Sequence, residues 1–205
     1  LVDAQESIGN VEVLWNGSSY SLVWQALPEE DDAELIFVAT VTSDGSFLGE
    51  PINLPAEGGA DPAISLARNG TEIALAWTQQ YRGVVNVFVT ALDEVGSGFG
   101  VGSRISIEEA PVAQISLTWT GDGYGLAWMS EAAGDGDKDV VFSRLDSGRV
   151  RQGSPVRVND DTRTVGHIDL TWIGDEHWVA FLDKDSGRPP YVPLDVRIAR
   201  LSDCH

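Results

Sequence analysis

The chain has 205 residues, 42% of them hydrophobic, with 13 basic and 32 acidic side chains and a formal net charge of −19. That length buries a substantial core in one domain, and no apolar run approaches the roughly 20 residues that cross a bilayer as a helix. The acidity argues against nucleic acid as a partner and against an anionic membrane surface.

In chain order, the segment Leu1–Gly9 leads into "VEVLWNGSSYSLVW" (11–24). Val11, Val13 and Trp15 alternate with polar or smaller residues, as do Tyr20, Leu22 and Trp24, and period two predicts strands with one apolar face. Gly17 sits in the turn between them, so the segment predicts a β-hairpin. A third strand, "ELIFVATV" (34–41), a polar turn, "TSDGSFLG" (42–49), and a short fourth strand, "EPINL" (50–54), follow. The pattern then returns: "ISLARNGTEIALAW" (64–77), "VNVFVTAL" (85–92), "SRISI" (103–107). It returns again as "ISLTWTGDGYGLAW" (115–128), "DVVFSRL" (139–145) and "SPVRV" (154–158), and last as "IDLTWIGDEHWVAF" (168–181) and "DVRIARL" (195–201). Pro51 and Pro155 suit edge strands, where a missing N–H is harmless.

The hairpins begin at 11, 64, 115 and 168, a period near 52 residues. Four antiparallel strands at that period predict an all-β chain, a four-bladed β-propeller of four-stranded antiparallel blades. The blades fall at about 9–54, 62–107, 113–158 and 166–201 of a single domain, 1–205. The fourth repeat lacks its outer strand, and residues 1–4 match the ends of the outer strands elsewhere. Leu1–Ala4 are therefore expected to close the last blade, in a monomer. The alternatives are a part of a larger propeller, or a half that dimerises into an eight-bladed ring. The tryptophans are expected between blades, as large apolar cores. Trp178 breaks the register, standing where the other repeats have Ser21, Ala74 and Gly125, and is expected to be the exposed one.

The motif apolar-x-apolar-x-Trp-x-Gly with a tryptophan seven residues on, seen at Val11–Trp24, resembles repeats of bacterial secreted or cell-surface β-propeller proteins over essentially the whole length. The Gly-His…Trp-Asp signature of WD repeats is absent. "TSDGSFLG" is similar to part of the sialidase Asp-box, with Asp44 and Gly45 adjacent and no closing tryptophan. Four blades in about 200 residues also match the size of hemopexin-like domains, which close with a cysteine pair; the single Cys204 here makes none. The resemblance implies a propeller fold and an extracytoplasmic, secreted or cell-surface setting. It transfers no catalytic residues. The chain opens on Leu1 with Met129 as its one methionine, which points to processing or truncation.

The loops from strand one to two and from three to four are short and alike. Those from strand two to three, and from blade to blade, differ between repeats, and variable loops on a fixed scaffold are the usual place for binding. In "GDGDKD", Asp135, Asp137 and Asp139 alternate with small or polar residues, like the first half of a calcium loop. They are the metal candidates, with Ca²⁺ as the one cofactor suggested. Trp178, Asp183 and Asp185 are the ligand-binding candidates on the variable side. No nucleophile elbow or phosphate loop occurs, and His167, His177 and His205 show no metal spacing. The expected function is a non-enzymatic extracellular binding or scaffold module for a glycan, a protein or a cation. The alternative is a glycan-acting propeller hydrolase using paired carboxylates on the same side.

Overall fold

The computed structural model describes residues 7–27, 35–54, 63–70, 72–92, 100, 102–106, 110–131, 138–159, 163–185 and 195–202. Fifteen strands and no helix occur among them. They form four successive antiparallel sheets, and the chain divides into two compact units, residues 1–106 and 107–205.

In the first unit, β1 (Ser7–Trp15), β2 (Tyr20–Leu27), β3 (Leu35–Val41) and β4 (Ile52–Leu54) pair in chain order. The second sheet repeats this with β5 (Ile64–Arg68), β6 (Ile73–Tyr81), β7 (Val84–Leu92) and β8 (Ser103–Arg104). One polar side chain folds each first turn. Asn16 accepts hydrogen bonds from the backbone N–H groups of Ser18 and Ser19, and Asn69 accepts one from Glu72. The core lies between the sheets. Val23, Ile36, Val38 and Leu54 of the first pack on Ile64, Leu66, Ile73, Leu75 and Trp77 of the second. Each aliphatic side chain so buried contributes about 1.5–3 kcal/mol.

The second unit repeats the plan. Its first sheet joins β9 (Val112–Trp119), β10 (Gly123–Glu131), β11 (Lys138–Asp146) and β12 (Arg151–Arg157). Its second joins β13 (Arg163–Ile173), β14 (Glu176–Asp185) and β15 (Asp195–Ser202). Here Thr120 takes the turn-folding role of Asn16 and Asn69: its hydroxyl oxygen accepts from Gly123 N–H at 3.1 Å. Ala127, Met129, Val140 and Phe142 pack against Val165, Leu170, Val179 and Phe181. The small residues between the apolar rows, Ser116 and Ala127, let these sheets come close: the Ser116 hydroxyl reaches both the backbone N–H of Leu170 and the Asp169 carboxylate.

The last sheet has three described strands, and the expected closing segment Leu1–Ala4 lies outside the described residues. The tryptophans divide differently from expectation. Trp24, Trp77 and Trp128 are buried, Trp178 is half-buried, and Trp15 is the exposed one. The reason is position along one face: Trp15 ends β1 at the turn, opposite exposed Tyr20, whereas Trp24 on the same face is buried with Ala26 and Ala39, and repeat register alone does not reveal which positions are covered.

Candidate functional site

Bulges interrupt the inner strands of the second unit where they begin. The register of β9 shifts between Ile115 and Ala113, and that of β13 between Gly166 and Ile168. At each bulge a non-glycine residue adopts a left-handed backbone, Gln114 with φ of +35° and His167 with φ of +37°. Such conformations are costly for bulky side chains, and bulges re-aim side chains beside functional sites. Gln114 and His167 are 53 residues apart, equivalent positions of the repeat, and they meet. Gln114 Nε2 lies 2.9 Å from His167 Nδ1, and Gln114 Oε1 accepts from the Ile168 N–H at 3.2 Å. One step further in, Ser116 and Asp169, again 53 apart, repeat the contact: the Ser116 hydroxyl donates to the Asp169 carboxylate at 3.3 Å. Two rungs of polar side chains therefore bridge β9 and β13, with His167 and Asp169 both exposed.

The strand ends beside this ladder hold the sequence candidates. Asp183 pairs with Val165 and with Asp195, and Asp185 pairs with Arg163. Register thus brings both aspartates to the end of β14 that flanks His167. Asp139 opens β11 at the same end of its sheet. Its carboxylate is taken by the Arg157 guanidinium and by Asn159 Nδ2 at 3.3 Å. Asp135 and Asp137 lie outside the described residues. Among the described residues no three His, Cys, Asp or Glu side chains stand close enough to hold a metal ion. Trp178 stands further along the sheet from the ladder, opposite Thr171 and Arg200, on the same face as Asp169.

The cavities of this unit lie elsewhere. One, of about 350 Å³, is walled by Asp122, Tyr124, Asp146, Trp172 and His177 at the short-turn end. A neighbour of about 440 Å³ shares Arg144 and Gln152 with it and extends to Arg157 and Arg200. Their charges are committed to structure. Asp146 accepts from Val150 N–H and Gln152 Nε2, Asp122 from the Thr120 hydroxyl, and Arg200 pairs with Glu176. The chemistry therefore points to the inner rim rather than to the larger hollows.

No family model and no curated protein matches the chain. Solved structures do. A GH43 endo-arabinanase from Bacillus licheniformis superposes with a TM-score of 0.53 at 14% identity, over 94% of this chain and 73% of that one. A subtype N10 neuraminidase-like protein from a little yellow-shouldered bat isolate gives 0.59 at 10%, over 96% of this chain and 60% of that one. An acylaminoacyl peptidase from Pyrococcus horikoshii gives 0.53 at 12%, over 97% of this chain but 31% of that one. The fold is that of a β-propeller. Its four sheets are blades, and at these identities the likeness carries the fold and no activity. On a propeller blade the first strand is the inner one, so the Gln114–His167 and Ser116–Asp169 rungs belong to the inner rim of two successive blades. Sequence reasoning missed all four residues. The signal was available only as the 53-residue offset between them, and nothing in a single repeat marks Gln114 as left-handed.

Proposed function

We propose that this propeller acts on glycans at the inner rim of its second unit, with hydrolysis as the reaction. The observation that carries the reading is the strained pair Gln114 and His167, hydrogen-bonded to each other beside exposed Asp169. Amide, imidazole and carboxylate groups on rigid strands suit the hydroxyls of a sugar. Cleaving a glycosidic bond needs two carboxyl groups, about 5–5.5 Å apart for retention and 6.5–9.5 Å for inversion. Asp169 on β13, with Asp183 and Asp185 among the last three residues of β14, are the acids proposed for these roles. Arabinanase and neuraminidase-like proteins among the similar structures support a glycan over other ligands. A secreted or cell-surface setting fits a polymeric sugar.

The test uses the full chain with arabinan, levan and sialylated glycans, following affinity electrophoresis and release of reducing ends. Binding with release is expected. Asp169→Asn, Asp183→Asn and Asp185→Asn are each expected to keep binding, and those in the acid–base pair lower the rate by about 10²–10⁴-fold. Binding without release would return the chain to the non-enzymatic reading, which the commitment of Asp122, Asp139, Asp146 and Glu176 to structural contacts favours. Neither binding nor release overturns the proposal.

A further inference from the structure

The two rungs between β9 and β13 share one hydrogen-bond plan. In each, a side chain of the third blade accepts from the backbone N–H of one residue of the fourth blade and donates to the side chain of the residue before it. Gln114 Oε1 accepts from the Ile168 N–H at 3.2 Å, and Gln114 Nε2 lies 2.9 Å from His167 Nδ1. The Ser116 hydroxyl oxygen accepts from the Leu170 N–H at 3.0 Å and donates its proton to Asp169 Oδ1 at 3.3 Å. The Leu170 N–H also donates to that Oδ1, at 3.0 Å. These contacts fix more than position. A backbone N–H only donates, so the oxygen of the Gln114 amide faces Ile168 and its NH2 faces the imidazole. The NH2 only donates in turn, so Nδ1 is the acceptor and the ring proton sits on Nε2. Among the described residues His167 Nε2 has no partner, and Asp169 Oδ2 accepts no hydrogen bond.

We propose that Gln114 and Ser116 are positioning residues that set a fixed donor beside a fixed acceptor, His167 Nε2–H and Asp169 Oδ2, and that this pair takes two hydroxyls of one neutral sugar unit. His167 and Asp169 are both exposed on β13, and each side chain reaches β9. One hydroxyl accepts from the imidazole and the other donates to the carboxylate. The inference rests on the glycan reading above and narrows it. An exposed carboxylate in the site, on a chain of net charge −19, opposes a sugar that carries its own carboxylate. The scaffold does not require the first rung. In the first unit the equivalents of Gln114 and His167 are Asn10 and Ala63, and Ala63 has no polar side chain with which to complete it. Val23, Ile36 and Val38 still pack there on Ile64 and Leu66. Gln114 and His167 have φ of +35° and +37°, whereas neither Asn10 nor Ala63 has positive φ. The backbone is strained where the rung is made, and holding a functional side chain by hydrogen bonds from behind is what gives a site its geometry.

The test reads the imidazole directly, by long-range proton–nitrogen correlation spectra of the full chain about two pH units above the ordinary histidine value. The His167 signals are those lost in His167→Asn. The wild type is expected to show a protonated Nε2 and a bare Nδ1. Gln114→Glu keeps an oxygen for the Ile168 N–H and puts an acceptor where the NH2 stood, so Nδ1 is expected to gain a proton. Gln114→Met, which removes both groups, is expected to give a mixture of the two tautomers, with circular dichroism verifying that each variant folds. A wild-type ring with its proton on Nδ1, or a Gln114→Glu ring unchanged from wild type, overturns the proposal. In affinity electrophoresis, arabinan or levan is expected to be retained about tenfold more strongly than a sialylated glycan, and Gln114→Met to weaken that retention about tenfold. Sialylated glycan retained as strongly as the neutral polymers overturns the choice of a neutral sugar. Spectra that behave as expected in a chain that retains no polysaccharide would sink the glycan reading and leave the positioning role of Gln114 standing.

Discussion

At the scale of single residues, close approach and backbone strain decide most. Gly125 of β10 faces the His177 ring, and a Cβ built there stands 2.4 Å from Cδ2 and Nε2. His177 is buried, with its centroid 4.7 Å from Phe142 and 4.5 Å from Trp172, so the ring can yield only by moving against them or toward the neighbouring cavity. Gly125→Ala is expected to cost about 1–3 kcal/mol in urea unfolding, as overpacking does; a loss within experimental scatter would show that the imidazole has room. His167 tests the rim in the opposite sense. Asparagine accepts a left-handed backbone readily, so His167→Asn should leave stability within about 0.5 kcal/mol of wild type while glycan affinity falls. Equal losses of both would make His167 a structural residue. In the first unit, hydrogen bonds from the Thr42 hydroxyl and the Ser46 backbone N–H hold the exposed Asp44 carboxyl below its ordinary pKa of 3.8. A lowered folded pKa means that its contribution is present above that value and is lost as pH falls through the folded pKa. Asp44→Asn should therefore flatten the acid limb of the stability curve and leave the slope near neutrality unchanged.

At the scale of elements, the same residue type carries different weight on different strands. Trp128 of β10 is fully buried, whereas Trp178 of β14 is half-buried on the face carrying exposed Ile198. Trp128→Ala is expected to cost about 3–5 kcal/mol, the range of large-to-small changes in packed cores. Trp178→Ala should cost well under half of that in the same denaturant series. Equal losses would mean that the open face of the fourth blade is covered in solution by something that also stabilises the monomer. Strand identity itself follows from alternation. β10 buries Tyr124, Leu126 and Trp128 along one face and Ala127 and Met129 along the other, so it is a central strand covered on both sides. β12, which carries Pro155, is the edge strand of its blade, where proline's missing N–H breaks no ladder.

At the scale of the whole molecule, 32 acidic against 13 basic side chains make self-repulsion a general cost. Sodium chloride is expected to raise the melting temperature through screening alone. Millimolar Ca²⁺ should raise it further than Mg²⁺ at matched ionic strength if the loop with Asp135 and Asp137 gathers oxygen ligands. Because Arg157 and Asn159 already hold Asp139, Asp135→Asn with Asp137→Asn is the double substitution expected to abolish the difference. A calcium effect that sodium chloride reproduces in full would leave the loop a solvated face.

The sequence by itself determined the strands, their order and the blade. Period-two alternation and the offsets of 51 or 53 residues between equivalent hairpins are repeated signals, and a strand's apolar face is written in its own residues. The third strands, predicted at 34–41, 85–92, 139–145 and 195–201, are found at Leu35–Val41, Val84–Leu92, Lys138–Asp146 and Asp195–Ser202. Asp183 and Asp185, candidates from the sequence alone, lie among the last three residues of β14. The tertiary structure alone decided the rest. Which apolar faces receive a neighbour depends on packing between blades, so Val11, Val13 and Trp15 read as core and stand exposed, while Trp178, read as outward, is half-buried. The Gln114–His167 and Ser116–Asp169 rungs join residues from different blades through bulges whose φ values no local propensity announces. Such contacts exist only when two sheets meet, because a bulge re-aims a side chain toward a partner that its own strand does not contain.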